Sequence, residues 1–134
     1  MKVKDLSSYL DSIVPLCFQE SYDNSGLQVG NPEIEISSAI ISLDVTEDVI
    51  DEAIAGNCGM IISHHPLIFS GIRKITCRSS TERIITKALK NDIAIYSSHT
   101  NLDMVANGVS HKMAEKLGLR RIRVLSPLKK HLMK

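Results

Sequence analysis

Residues 58–66, with the sequence Cys-Gly-Met-Ile-Ile-Ser-His-His-Pro, decide the fold that we predict for this chain. The first six residues are almost entirely apolar, which is typical of a short strand buried on both faces of a parallel sheet. His64 and His65 follow directly. Pro66 fixes its own φ angle and disfavours helix at His65. The stretch therefore predicts a buried parallel strand that ends in a polar turn.

Helical patterns flank this strand on both sides. Before it, Thr46 can cap a helix that ends near Gly56. After it, Ser79 and Glu82 have the spacing of a capping box for another helix. Two further segments have strand-like composition and predict the neighbouring strands: residues 38–45 and 92–98.

The outer parts of the chain supply the remaining elements. Apolar residues recur at helical spacing over residues 3–14, and further patterns predict a helix over 108–117 and a last strand over 121–125. Residues 21–26 have the composition of a loop. The order α-β-α-β-α-β-α-β predicts an α/β layered sandwich with a mostly parallel sheet and helices packed on it. Right-handed crossovers place all strand carboxyl ends at one edge, where such sheets bind ligands.

Composition restricts the classes of function. A length of 134 residues fits one domain, and a net charge of +1 gives no strong attraction to nucleic acid or to an anionic membrane. The aromatic content of 4% argues against a base-stacking platform. No apolar run approaches the ~18–20 residues that cross a bilayer. Three widely spaced cysteines and the lack of a signal-peptide pattern lead us to expect a cytoplasmic protein.

Candidate metal ligands follow the predicted strands. Asp44 lies near the end of the first strand, His64 and His65 follow the second, and His99 ends the third, with Asp103 four residues later. Imidazole and carboxylate groups are suitable ligands for zinc, iron, manganese or nickel. Adjacent histidines in a regular strand point to opposite faces, so the two can serve one site only if the backbone turns after Ser63.

Each candidate has an alternative interpretation. The histidine pair could serve loop or capping roles, and Asp103 could cap a helix or turn. Asp44 could hold a backbone amide near Thr46, and His99 could orient a ligand or move a proton. The other two histidines, His111 and His131, are expected at the surface and outside the site.

Several segments resemble one known family. They are Tyr-Asp-Asn-Ser-Gly-Leu-Gln-Val-Gly (22–30), Leu-Asp-Val-Thr (43–46), Ser-His-His-Pro-Leu-Ile-Phe (63–69), Ser-His-Thr-Asn-Leu-Asp (98–103) and Ala-Glu-Lys-Leu-Gly-Leu (114–119). In this order they resemble the N-terminal half of the NIF-three-like dimetal proteins, also known as GTP cyclohydrolase 1 type 2 homologs. Together the segments are highly specific, and they extend over nearly the whole chain.

The resemblance implies a site for two divalent metal ions, which are zinc, iron, manganese or magnesium in the family. It assigns His64 and His65 as ligands, one for each metal, and Asp103 as the aspartate ligand. His99 then lines the site, and Asp44 is the acidic residue beside the cleft. The family also implies a sandwich of two related lobes and a homo-oligomer, commonly a hexameric ring around a cavity.

The chain lacks one family feature, a C-terminal Gly-His-x-x-x-Glu-like segment, since no Glu follows Glu115. We therefore expect residues 1–125 to form the N-terminal lobe. Residues 126–134 would be a truncated linker toward a missing insert or second lobe. With three of the family's five protein ligands, we expect metal binding to be partial or absent and the isolated chain to be a poor catalyst.

These observations lead to two main functional hypotheses. The first is a metal-dependent hydrolase or cyclohydrolase that acts on a nucleotide-like substrate, with His99 as the catalytic residue that moves or orients a proton. The alternative is a non-catalytic metal-binding or regulatory interaction protein. The substrate is not identified, because Gly26 and Gly30 do not match a phosphate-binding loop.

Overall fold

The computed structural model describes residues 1–124. One four-stranded sheet forms its centre, with the order β1-β4-β3-β2. The strands are β1 (Gly26–Val29), β2 (Ala39–Ser42), β3 (Met60–Ser63) and β4 (Ala94–Ser97). The last three are parallel to one another, and β1 is antiparallel to β4. The predicted α/β class with a mostly parallel sheet is confirmed.

Helices connect and cover the strands. They are α1 (Val3–Ile13), α2 (Glu47–Ala55), α3 (Ser80–Lys90), α4 (Thr100–Met104) and α5 (Val109–Lys116), with a 3-10 turn at Leu16–Phe18. The predicted N-caps are formed, because the Thr46 hydroxyl accepts from the Val49 amide and the Ser79 hydroxyl accepts from the Glu82 amide, both at 3.2 Å. Cap hydroxyls satisfy amides that a helix leaves without an internal partner.

The core occupies both faces of the sheet. On one face, α2 and α3 place Ile50, Ile84 and Ile85 against the β3 residue Ile61. On the other face, α1 and the segment before β2 contribute the residues that surround the fully buried Tyr96. The alternation of side chains along β3 and β4 supplies both clusters at once. The central strands β3 and β4, which are apolar except for their terminal serines, are thus buried between the layer of α2 and α3 and the layer formed by α1 and the segment before β2.

Two sequence-based predictions were wrong. The structure has a strand at Gly26–Val29, although the predicted order of elements contains none before residue 38. Conversely, residues 121–124 form no strand, and Leu125 lies outside the described residues. Arg121 has a φ of 58°, which is incompatible with an extended strand, and residues 121–124 are exposed. The predicted linker at 126–134 also lies outside the described residues.

The register of the parallel strands positions the candidate site. Ser42, Ser63 and Ser97 are aligned at the carboxyl ends of β2, β3 and β4. The residues that follow these serines therefore emerge along one edge of the sheet. In the described part of the chain, no helix is both long enough and apolar enough to cross a membrane. The three cysteines are free thiols.

Candidate metal centre

The turn after β3 brings two adjacent imidazoles to the same side of the chain. The amides of His64 and His65 donate to the carbonyls of Ser42 and Leu43 at 3.2 Å and 2.9 Å. The Ser63 hydroxyl donates to the His65 carbonyl at 2.8 Å, which holds the chain in the turn. The two ring centroids are only 5.0 Å apart. The backbone turn that the histidine pair required is therefore present.

His64 is oriented by a backbone carbonyl. Its Nδ1 lies 2.9 Å from the carbonyl oxygen of Ser98. Because a carbonyl can only accept, Nδ1 carries the proton and Nε2 has a free lone pair. The carboxylate Oδ1 of Asp103, on α4, lies 3.9 Å from this Nε2. His64 thus presents Nε2 as a ligand atom next to a carboxylate.

His65 is oriented by a carboxylate. Its Nδ1 lies 2.7 Å from Oδ1 of Asp44, and both side chains are substantially exposed. The alternative role for Asp44, holding an amide near Thr46, is not seen among the described residues, because the hydroxyl of Thr46 itself caps α2. Asp44 leaves Nε2 of His65 available in the same way as Ser98 does for His64.

His99 is hydrogen-bonded to the buried carboxylate of Asp23. Its Nδ1 lies 2.8 Å from Oδ1 of Asp23, whose side chain is 0% exposed. The same carboxylate accepts from the amides of Asn24 and Thr100 at 2.7 Å and 3.0 Å, and from the Thr100 hydroxyl. Burial by itself raises the pKa of Asp23, but the hydrogen bonds from Thr100, His99 and Asn24 outweigh burial and hold the pKa well below its usual range. Asp23 is therefore an ionised acceptor for the His99 ring.

The three imidazoles form one cluster. A ring nitrogen of each lies within 4.8 Å of a ring nitrogen of the other two, and the remaining centroid distances are 5.4 Å and 5.7 Å. Each Nδ1 is engaged by an oxygen, which leaves the three Nε2 lone pairs as the available ligand atoms. Metal-binding histidines commonly donate their second N–H to a carboxylate or carbonyl in this manner. The donor set therefore fits a divalent transition metal.

The structure places the remaining candidates outside this cluster. Asp103 lies beside His64 at the edge of the cluster, and its carboxylate makes no capping hydrogen bond among the described residues. His111 lies on α5 and pairs with Glu115 at 3.3 Å, as expected of a surface residue. His131 is outside the described residues. Metal binding by His64, His65 and Asp103 stays a prediction.

Sequence reasoning missed one functional candidate, Asp23. It belongs to the segment 22–30 that carried part of the family resemblance, but nothing in its spacing linked it to His99, which lies far along the chain. A second buried contact supports the same junction, because Asn101 donates to the Val14 carbonyl at 3.1 Å and accepts from the Ser25 hydroxyl at 3.0 Å. These contacts fix the start of α4 against the segment before β1.

Comparisons with known proteins identify the family. The family model described as Duf34/NIF3 (NGG1p interacting factor 3) matches residues 1–134. The chain belongs to the Duf34/NIF3 family. One curated NIF3 relative, a protein of Clostridium acetobutylicum named GTP cyclohydrolase 1 type 2 homolog, is 41% identical over 126 residues. A protein of the same name from Staphylococcus epidermidis is 39% identical.

Similar solved structures have the same fold. A Bacillus cereus protein related to NIF3 superposes with a TM-score of 0.89 at 40% identity, over 96% of this chain and 36% of its own. Reduced HcgD from Methanocaldococcus jannaschii has a TM-score of 0.85 at 34% identity, over 94% of this chain and 50% of its own. The curated relatives are also longer, since the match covers 94% of this chain but only 47% and 34% of the two proteins. The chain thus spans half or less of the length of these four proteins.

Proposed function

We propose that this NIF3 chain is the metal-binding lobe of a dimetal protein that acts as a metal-dependent hydrolase or cyclohydrolase on a nucleotide-like substrate. The observation that carries the proposal is the convergence of three imidazoles whose Nδ1 atoms are all engaged by oxygen acceptors. The name of the curated relatives, GTP cyclohydrolase 1 type 2 homolog, supports the nucleotide-like substrate.

The residues divide into ligands and a proton carrier. His64, His65 and Asp103 would hold two divalent ions, either zinc, iron, manganese or magnesium, with one histidine for each ion. Such ions supply the Lewis acidity that activates water at neutral pH. His99 would accept a proton from the attacking water at its Nε2 atom, and the ionised Asp23 next to its Nδ1 would stabilise the resulting imidazolium.

The same proposal includes a homo-oligomer and a cytoplasmic location. Exposed apolar side chains at the β2 edge support homo-oligomer formation, because Ile41 is 82% exposed and Leu43 follows it. The free state of the three cysteines supports a reducing, cytoplasmic location.

The alternative function is a non-catalytic metal-binding or regulatory interaction protein. The family description supports it, because it names an interacting factor. The metal-binding form of this alternative differs from the proposed function in turnover and not in metal binding, so metal binding and turnover measured together can separate them.

The test measures metal content, metal affinity and turnover in the same variants. Protein purified without chelator is analysed for metals, and zinc affinity is measured by competition with a chromophoric chelator. His64→Ala and His65→Ala should each reduce affinity at least 10-fold, whereas His111→Ala, a surface histidine on α5, should not. Equal affinity in all three variants would overturn the metal site.

Turnover then decides between the two functions. We expect metal-loaded protein to convert GTP slowly, and activity should be lost in His99→Gln and on exhaustive chelation. Metal binding without turnover of GTP or related nucleotides would favour the non-catalytic alternative. Turnover that survives chelation would contradict the metal-dependent mechanism.

A further inference from the structure

Two exposed aromatic rings lie beside the histidine cluster. Phe69 is 51% exposed and Tyr22 is 65% exposed, and their ring centroids are 6.4 Å apart at an interplanar angle of 58°. The Phe69 ring also lies 6.2 Å from the His99 ring at an interplanar angle of 86°. The Phe69 and Tyr22 rings thus form an apolar surface that is open to solvent at the edge of the candidate metal centre.

The backbone next to Phe69 is held by side chains of the β1 region. The Gln28 amide bonds both polar groups of Ile68, accepting from its N–H at 3.1 Å and donating to its carbonyl at 3.1 Å. The Asn24 amide donates to the same carbonyl at 2.6 Å. Residue 69 belongs to a segment without helix or strand, and these bonds fix its position together with the packing of Leu67 and Ile68 against the core. These contacts therefore hold the backbone next to Phe69 while its ring stays exposed to solvent.

A cleft of about 760 Å³ extends from Phe69 and is lined in part by Arg73 and Lys74. Neither cation forms an ion pair or a side-chain hydrogen bond with another described residue. Glu82, the acidic residue in the cleft wall, is already engaged by the amides of Thr76 and Arg78 at 2.7 Å and 3.2 Å. The two cations are thus available to an anionic group bound in the cleft.

We propose that Phe69 and Tyr22 form a stacking surface for one flat heteroaromatic ring, and that Arg73 and Lys74 bind an anionic group of the same ligand. Because the two rings are inclined by 58°, the ligand ring would lie face-on against one of them and meet the other along its edge. The inference rests on the proposed function and identifies which part of the chain recognises the substrate. Aromatic faces stack on any heterocycle, and a cationic pair attracts phosphate through charge. A ring stacked on Phe69 would lie near His99, whose ring centroid is 6.2 Å from that of Phe69.

The test uses guanosine, inorganic triphosphate and GTP as probes in isothermal titration. A chelator is present so that metal neither coordinates the phosphates nor supports turnover. We expect Phe69→Leu and Tyr22→Leu to weaken guanosine and GTP binding about 5- to 100-fold, with triphosphate binding unchanged. Tyr9→Leu, which removes an exposed tyrosine from α1, is the matched control and should bind all three probes as the wild type does.

The cationic half is tested by the double variant Arg73→Ala/Lys74→Ala, with Lys90→Ala on α3 as its control. The double variant should weaken GTP and triphosphate binding at least 10-fold and leave guanosine binding unchanged. Equal affinities in Phe69→Leu and Tyr9→Leu, or no binding of any probe to the wild type at millimolar concentration, would overturn the proposal.

Zinc affinity is measured in the same variants, and we expect it to stay at the wild-type value. If the protein binds metal but Phe69→Leu binds the probes as the wild type does, the stacking surface is refuted and the proposed function stands. If ring binding depends on Phe69 but the protein binds no metal, the proposed function fails and the binding surface stands.

Discussion

Replacing Asp23 by asparagine removes the negative charge beneath His99 with almost no change in side-chain shape. In the native protein, Oδ1 of Asp23 accepts from the His99 ring and the Asn24 amide, and Oδ2 accepts from the amide and the hydroxyl of Thr100. An asparagine has one oxygen and one NH2 group. Whichever way the amide is turned, its NH2 group faces a backbone N–H that has no other acceptor at this position.

The structure sets the size of the effect. A buried donor left without an acceptor costs about 1–3 kcal/mol, and loss of the charge weakens the remaining hydrogen bonds. We therefore expect Asp23→Asn to lower the free energy of unfolding by about 2–4 kcal/mol. If the new NH2 group faces the ring, Nδ1 of His99 becomes an acceptor and the ring proton moves to Nε2. The lone pair that points into the cluster is then lost.

The assays are urea unfolding, turnover of GTP by the metal-loaded protein and long-range proton–nitrogen NMR of the imidazole rings. We expect turnover to fall at least 10-fold, because the proton carrier His99 loses both its accepting atom and the charge that stabilises its imidazolium, and we expect the His99 nitrogen shifts to change. Asp44→Asn is the matched control for stability only, because Asp44 contacts Nδ1 of the predicted ligand His65 in an exposed pair. It should cost less than about 1 kcal/mol of stability. A folded Asp23→Asn protein with native stability, unchanged turnover and unchanged His99 nitrogen shifts would refute the positioning role of Asp23.

Three further substitutions test other parts of the structure. Backbone amides lower the pKa of Glu82 from 4.5 to about 2, so the ionised side chain stabilises the fold above pH ~4.5, and this contribution is lost as the pH falls through 2. The stability advantage of the native protein over Glu82→Gln in urea unfolding should therefore shrink between pH 5 and pH 2. A difference that stays constant over this range would contradict the role of these hydrogen bonds. Tyr96→Phe removes the 2.6 Å hydrogen bond to Asp11 and should cost about 1–2 kcal/mol of unfolding free energy, whereas a cost near zero would show that the bond contributes nothing. Gly30 has a φ of 109°, and an added Cβ would lie 2.7 Å from the Ala94 Cα, so Gly30→Ala should destabilise the protein by about 2–4 kcal/mol, and an unchanged melting temperature would contradict this.

The parts of the fold that the sequence predicted well are those with strong local signals. The strand at Met60–Ser63 has an apolar run, and α2 and α3 begin at the capping residues Thr46 and Ser79. The strand at Gly26–Val29 lacks such a signal, because its sequence Gly-Leu-Gln-Val has no apolar run and it lies between loop-forming residues. It exists through pairing with β4, about 70 residues later in the chain, and a local pattern cannot reveal such a partner. The family resemblance marked this segment without showing that it was a strand.

The antiparallel direction of β1 also explains why the sequence did not predict that Asp23 belongs to the candidate site. The rule for parallel sheets directs attention to residues that follow strands, and it brought His64, His65 and His99 to one edge. A strand that runs in the opposite direction has its amino-terminal end at that edge. Gly26 pairs with Ser97, so Asp23, three residues before β1, meets His99, two residues after β4. One strand of reversed direction therefore supplies the buried carboxylate that a purely parallel sheet would have to obtain from a loop after a strand.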